Sequence, residues 1–359
     1  MRSIGLKGAI RMLVGAVGLG LMSSPAVAQG CEPIRFTTPI DLGGQGQVYQ
    51  PGREWRFTLA YRRLYSNEFF VGSSENQAMA PGGESPVFNI NTFVADVSYS
   101  LTDRIRVGLS LPFSTGTLSR KWDDSLHHEQ SASGIGDLGA TGEFWLLNPR
   151  THQNGNIAVG LGLKAPTGSH TKASQFYTAG GAVDFPADQT IQPGDGGWAI
   201  TFQAQAHQRV KEGIYLYGSG SYMASPRAQT EVVLGPTGPP SAVHWSVPDV
   251  YQARLGAAVS VWPDQGLTVS FGGSLSGIPR RDLFGGGDST TVKRTSQIVY
   301  ADPGLSLNRG KSTFTLSIPI RIHVNRFKSL LEARSTGRLG INGGGFANYL
   351  VFASYSYRF

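Results

Sequence analysis

Apolar and polar residues alternate along most of the chain beyond residue 53, in stretches of about ten residues. In the stretch KSTFTLSIPIRIHVN (311–325), Phe314 and Leu316 share one face and Thr315 lies on the other. The stretch RIRVGLSLPF (104–113) repeats the pattern. A period of two residues is that of a β-strand. The sequence therefore predicts an all-β chain whose strands are apolar on one face.

The same period predicts twelve strands, an even number that is typical of single-chain bacterial outer-membrane barrels. Short and long connections alternate strictly, as periplasmic turns and outer loops do, which places both termini in the periplasm. The predicted fold is an all-β transmembrane antiparallel up-and-down β-barrel of about twelve strands. The predicted strands are 54–65, 88–101, 104–114, 135–147, 155–165, 197–209, 213–224, 247–262, 266–276, 295–307, 311–325 and 347–359. The predicted long loops are 66–87, 115–134, 166–196, 225–246, 277–294 and 326–346.

Residues 1–28 have the three parts of a secretory signal peptide: a basic start, a short apolar run and the cleavage motif Ala-Val-Ala. Residues 29–53 lack a strand period and form an N-terminal arm, for which one hypothesis is a plug of the lumen. The barrel is expected at 54–359. Cys31 is the only cysteine, so an intramolecular disulfide is excluded, and either a free thiol or a lipidated terminus is open.

The composition agrees with an exported membrane barrel. The chain has 48 glycines among 359 residues, 15% charged residues and 10% aromatic residues. A net charge of +7, part of it in the signal peptide, is too mild to indicate nucleic-acid binding. We therefore expect the outer membrane of a Gram-negative bacterium as the location and its lipid as a partner. Aromatic residues expected at the two membrane edges are Trp55, Tyr99, Trp145, Trp262 and Phe359 at one and Trp198 and Tyr251 at the other.

The sequence contains no supported motif for catalysis or cofactor binding. GIGDLG (134–139) fits the dinucleotide fingerprint G-x-G-x-x-G, but the residues that follow continue to alternate and open no helix. The sequence has neither a G-x-S-x-G nor an H-E-x-x-H motif. We expect no enzymatic activity and no cofactor.

Two groups of potential metal ligands lie in predicted loops. His127, His128 and Glu129 are adjacent, but they lack the spacing of strong metal sites. A second group, Asp184, Asp188 and Asp195, lacks the EF-hand pattern. Solvated loops explain both groups more simply than metal sites do, so no metal is predicted.

The alternation places charged and polar side chains on the inward face, with seven basic groups against four acidic ones. They can form a paired network that stabilises a narrow lumen, or a lining that selects the solute. The lumen-lining candidates are Arg56, Arg62, Asp96, Arg106, Asp137, Glu143, Lys164, Gln203, Gln205, His207, Arg254, Asp302, Arg321, His323 and Arg358.

Several segments carry a resemblance to a known family. They are SGIGDLGATGEFWLLNP (133–149), NIAVGLGLKAPTGSH (156–170), IQPGDGGW (191–198), SVPDVYQARLG (246–256) and the stretch 302–326. From about residue 50 to the end, the chain resembles the family named for a MetA pathway of phenol degradation, whose members resemble the FadL/TodX hydrocarbon channels. The resemblance implies a barrel and solute uptake. Aromatic compounds are suggested by the family name alone, and no site residue is implied.

Three functional hypotheses follow. The first is the passage or uptake of small solutes, including hydrophobic or aromatic ones. The second is a structural or adhesive barrel that acts through its long outer loops. The third is an outer-membrane lipid hydrolase, since outer-membrane phospholipases also have twelve strands. The sequence does not identify the solute.

The last strand, ANYLVFASYSYRF (347–359), ends in Phe359 and resembles the signal that the barrel assembly machinery reads. Deleting Phe359 should lower the folded fraction in the outer membrane, measured by heat-modifiable gel migration. Phe359→Trp, which keeps a terminal aromatic ring, is the control and should assemble normally. Equal folded levels after the deletion would show that this residue is not an assembly signal.

Overall fold

The computed structural model describes residues 52–236, 243–284, 288–335 and 343–359. The signal peptide, Cys31 and all but the last two residues of the arm lie outside the described residues. In chain order the strands are β1 (Trp55–Ser66), β2 (Glu68–Val71), β3 (Ser74–Glu75), β4 (Val87–Ser100), β5 (Ile105–Lys121), β6 (His127–Ile135), β7 (Leu138–Trp145), β8 (Gly155–Ala165), β9 (Ala173–Thr178), β10 (Gly181–Pro186), β11 (Ala199–Lys211), β12 (Ile214–Ala224), β13 (Gln229–Val233), β14 (His244–Ser246), β15 (Val250–Trp262), β16 (Leu267–Ile278), β17 (Ser296–Ala301), β18 (Gly304–Arg309), β19 (Ser312–Ser317), β20 (Ile320–Asn325), β21 (Gly344–Phe346) and β22 (Leu350–Arg358). A short helix, α1 (Leu330–Arg334), precedes β21. No helix in these ranges is both long and apolar enough to cross a bilayer.

The wall is a closed antiparallel barrel. Its order is β1, β4, β5, β6/β7, β8, β11, β12, β15, β16, β17/β18, β19/β20 and β22, and β22 pairs again with β1. Three wall positions consist of two strands separated by a short interruption, and two of these interruptions contain a proline, which cannot donate to a ladder. The predicted all-β barrel with twelve strands is therefore confirmed.

The outer face of the wall is apolar over a limited height. Large apolar side chains on this face are exposed, among them Leu109, Leu161 and Phe271. Across β1, β4, β5 and β6, the last apolar cross-strand row is Tyr61, Phe93, Phe113 and Ile135. The next row toward the long connections is Arg63, Asn91, Thr115 and Ser133. This abrupt change marks the edge of the belt that faces hydrocarbon in a transmembrane barrel.

The predicted loop 115–134 is largely a hairpin, because β5 and β6 continue past the apolar belt. Outward residues such as Thr117 and Ser131 are polar there, which suggested a loop. Inward residues such as Leu118 remain fully buried. Every second side chain of these parts of β5 and β6 is buried on the inner side. This alternating burial keeps both strands extended beyond the apolar belt.

Two residues point away from their predicted faces. His323 is exposed on the outer face opposite Val299, because a register shift in β20 inserts an extra residue beside Ile322. Its predicted lumen position is therefore wrong. Trp145 is 3% exposed and packs inside the barrel against His207, so it does not belong to the outer aromatic belt.

The alternation of connections predicts which end of the barrel faces the medium. Cysteines at Ser131 and Gln175, both exposed beyond the apolar belt, should react with an impermeant maleimide on intact cells in a Cys31→Ser background. A cysteine at Gln265, in a short turn, should react only after lysis, because the outer membrane excludes the reagent. Labelling of the Gln265 position alone would invert the orientation.

Candidate functional site

A cavity of about 320 Å³ occupies the lumen toward the short turns, between β1 and β15 on one side of the ring. Its wall is formed by inward residues of β1, β4, β5, β7, β8, β11, β12, β15 and β22. Nine predicted lumen residues line it: Arg56, Arg62, Asp96, Arg106, Asp137, Glu143, Lys164, Gln203 and Gln205. The structure therefore brings most of the charged candidates together around one space.

Glu143 is the centre of one charge cluster in the cavity wall. Arg106 lies directly opposite it in the β5–β7 ladder and approaches its carboxylate to 3.0 Å. From β11, Gln205 donates to the same carboxylate at 2.6 Å. Glu143 is 8% exposed, so these two contacts replace much of its hydration.

Lys164 is the centre of a second cluster, which includes two carboxylates. Its ammonium donates to Asp195 and lies 3.4 Å from Asp137. Asp137 also accepts from the backbone N–H groups of Gly168 at 3.0 Å and of Asp195 at 3.2 Å. Three segments distant in sequence, around residues 137, 167 and 195, are thus joined at the cavity wall.

Close glycine packing makes this junction possible. A Cβ atom on Gly168 would lie 2.7 Å from the carbonyl carbon of Gly136 and 2.9 Å from the Cα of Gly194. Real side chains do not fit at such distances, so glycine is required there. Gly136, the second glycine of the G-x-G pattern that resembled a nucleotide motif, lies in the interruption between β6 and β7 and packs against Gly168.

The aspartates first considered as solvated loop residues divide into two groups. Asp184 is exposed, as expected, but Asp188 is 2% and Asp195 is 8% exposed. Burial raises the pKa of Asp188, and the charge of Arg294 and the bond to Thr190 partly offset this rise. Sequence reasoning missed the role of Asp195, although its PGDGG context could have indicated a tight, inward-packed turn.

A paired network lies on the opposite side of the lumen. Arg254 lies 2.5 Å from Asp302 and donates to Ser317 at 2.9 Å, and Ser317 donates to Asp302 at 2.6 Å. Asp302 is 1% exposed. This arrangement supports the structural interpretation of these two candidates, because the ions neutralise each other inside the wall.

The other candidates lie outside the cavity. Arg321 pairs with Glu68 and donates to Asn348 at 2.6 Å, which ties the segments around β2 and β21 to the wall. Near the short turns, Arg358 donates to the carbonyl oxygen of Gly310 at 3.2 Å. His207 packs against Trp145, with ring centroids 5.8 Å apart.

An apolar cluster lies inside the barrel toward the long connections. Ala187 and Ile191, from the segment that precedes β11, pack with Phe346 of β21 and with the inner faces of several strands. Ala132 of β6 and Ile298 of β17 belong to the same cluster, although their strands lie six positions apart in the ring. The cluster therefore crosses the barrel. We call its infolded segment, residues 187–197, the inner loop.

The adjacent histidines form separate contacts. His127 bonds to Glu84 at 2.8 Å, whereas His128 bonds to Asp124 at 2.7 Å and stacks on Tyr177 with a centroid distance of 3.7 Å. In the described ranges, no group of three or more His, Cys, Asp or Glu side chains could hold a metal ion. These histidines therefore fasten the β5–β6 hairpin to its neighbours.

Comparison with known proteins supports the fold. No family model and no curated protein matches the sequence. The chain is similar to the COG4313 outer membrane channel from Pseudomonas putida F1, with a TM-score of 0.60, 16% identity and coverage of 90% of this chain and 100% of that one. It also aligns with the β domain of the Bordetella autotransporter BrkA, with a TM-score of 0.46, 10% identity and coverage of 86% and 100%. The alignment with the Ralstonia pickettii toluene transporter TbuX has a TM-score of 0.42 and 9% identity, and it covers 91% of this chain and 99% of that one. At these identities the likeness concerns the fold, and among these three only the COG4313 channel exceeds a TM-score of 0.5.

The Lys164 cluster is expected to hold the inner loop in place. Lys164→Met leaves Asp137 and Asp195 as two buried carboxylates without their cation, which costs roughly 3–5 kcal/mol for a buried pair. The inner loop should then detach, and single-channel conductance in planar bilayers should rise several-fold.

The matched control is Lys172→Met, which removes an exposed lysine from the same connection and should leave conductance unchanged. If folded Lys164→Met protein conducted like the unmodified chain, the Lys164 cluster would not restrain the lumen.

Proposed function

We propose that this chain is an outer-membrane barrel through which small solutes pass, and that its signal peptide is removed on export. The observation that carries the proposal is the cavity inside a closed twelve-stranded wall, lined by charged and polar side chains. A lumen with such a lining can hold water and hydrophilic groups. The COG4313 protein, whose TM-score to this chain exceeds 0.5, is an outer membrane channel. This likeness supports the proposal that solutes pass through the barrel.

The geometry favours the adhesive alternative less. Much of the long connections is folded inward: Trp245, Arg294 and the inner loop are buried. The hairpin of β9 and β10 is more exposed, with the first four residues of β10 all exposed. Long connections that fold into the barrel are better placed to control the passage of a solute than to bind a partner at the cell surface.

Enzymatic activity is not part of the proposal, because two carboxylates of the cavity, those of Glu143 and Asp137, are engaged with neighbouring groups. Glu143 is held by Arg106 and Gln205, and Asp137 is held by Lys164. A general acid or base must instead reach a substrate proton directly.

The point at which the arm joins the barrel supports its proposed role as a plug. Gly52 donates to the Asp103 carboxylate at 3.1 Å and Arg53 donates to the Ser100 carbonyl at 2.6 Å, so the chain enters β1 beside a short turn. Gly52 and Arg53, the last two residues of the arm, therefore lie at the end of the barrel where the cavity lies. We propose that this end faces the periplasm, that the arm enters the lumen from there, and that Phe359 is presented to the barrel assembly machinery from the same side.

Ion selectivity in planar bilayers tests the proposal. Wild-type protein should conduct, and Glu143→Gln should shift the reversal potential in a KCl gradient toward the chloride potential, since the variant removes one negative charge from the lining. Glu212→Gln, in an exposed short turn, is the control and should not shift it.

Absence of conductance in wild type, in Lys164→Met and in a deletion of residues 32–50, all correctly folded, would refute solute passage.

A further inference from the structure

We propose that the cavity is a subsite for small hydrophilic solutes that both donate and accept hydrogen bonds, and that it disfavours aromatic hydrocarbons. This inference rests on the proposed function and deepens it, because it assigns a solute class from the lining itself. It departs from the aromatic solutes that the family resemblance suggests.

The lining is rich in hydrogen-bonding groups. Among the described residues that form it, nine carry a hydroxyl group, three are glutamines, seven are charged and five are glycines. None of these described lining residues is aromatic. Small-molecule sites that take apolar ligands are lined mainly by hydrophobic and aromatic side chains, so this cavity has the opposite character.

Two glycines leave room for polar side chains to lie along the inner surface of the barrel wall. A Cβ atom on Gly139 would lie 2.5 Å from the Ser110 hydroxyl oxygen, and one on Gly160 would lie 2.5 Å from the Gln203 amide nitrogen. The two polar side chains therefore cover bare backbone rather than project across the lumen. The wall presents donors and acceptors to the cavity and still leaves it open.

Charges of both signs surround the space. Arg106 and Glu143 lie in one cross-strand row, while Asp96 and Lys164 lie two inward-facing rows farther along, on strands three positions apart. A hydrocarbon in this cavity would remove water from these ions and offer no hydrogen bond in return, which is unfavourable. A solute with hydroxyl, amide, amino or carboxylate groups can replace that water.

The size of the cavity sets a range of solutes. The described residues leave a volume of about 320 Å³, at the lower end of the range of roughly 300–1,000 Å³ for small-molecule sites. That space suits a monosaccharide or a free amino acid. The aromatic side chains inside the barrel, such as Phe70, Phe88 and Phe346, instead pack in the apolar cluster toward the long connections.

The test uses three probes, L-arabinose, L-serine and toluene, with the full-length mature protein in proteoliposomes and in planar bilayers. Arabinose and serine should cross in swelling assays and should reduce the ionic current through the channel at millimolar concentrations. Toluene at saturation should leave the current unchanged. Lys164→Met provides a second background in which passage of the hydrophilic probes should be faster.

Two variants remove polar groups from the cavity with little change of volume. Thr141→Val and Gln203→Leu should each weaken current block by arabinose, by roughly fivefold for each lost hydrogen bond. Thr115→Val makes the same change on the outer face of β5 and should leave block unaltered. Heat-modifiable migration verifies folding of each variant.

The outcomes separate this inference from the proposed function. A channel that conducts ions but is blocked by toluene more strongly than by arabinose, or one whose arabinose block is insensitive to both cavity variants, overturns the inference and leaves solute passage intact. A folded barrel that conducts nothing in either background overturns the proposed function itself.

Discussion

The hydrogen bonds between β1 and β22 close the ring, and the other features of this barrel depend on them. The ladder joins Arg56–Leu64 to Leu350–Arg358, and the last backbone N–H, that of Phe359, donates to the Trp55 carbonyl at 3.0 Å. An open edge in hydrocarbon would leave several unpaired polar groups, each costing several kcal/mol. Closure removes both edges and separates an apolar outer face from an inner one.

Once the ring is closed, charged residues on its inner face must find partners or water. The two sides of the lumen meet this requirement differently. Beside β15 to β19, Arg254 and Asp302 neutralise each other. Beside β5 to β11, the pairs formed by Glu143 and Lys164 lie in the wall of a cavity. Five glycines belong to the same cavity wall and take up little space in the lumen.

The long connections supply a second layer of the structure. They place apolar side chains such as Ile191 and Phe346 inside the barrel. A hydrophobic core therefore lies on the side of the long connections, and the polar cavity lies on the side of the short turns. The inner loop belongs to both layers, because Ile191 packs in the core while Asp195 bonds to Lys164 at the cavity. A single segment thus couples the apolar cluster to the charges around the cavity.

The sequence by itself determined the strand count, the apolar outer face and the inward placement of nine residues that line the cavity, because a period of two fixes which side chains share a face once one face is buried. It did not determine details that depend on local irregularity or on long-range packing. One extra residue in β20 turned His323 outward, and burial beneath infolded segments kept 115–134 extended. The Asp137, Lys164 and Asp195 cluster depends on contacts between segments far apart in the chain. Only the closed tertiary structure brings them within hydrogen-bonding distance, since alternation specifies the face of a residue but not its partner across the lumen.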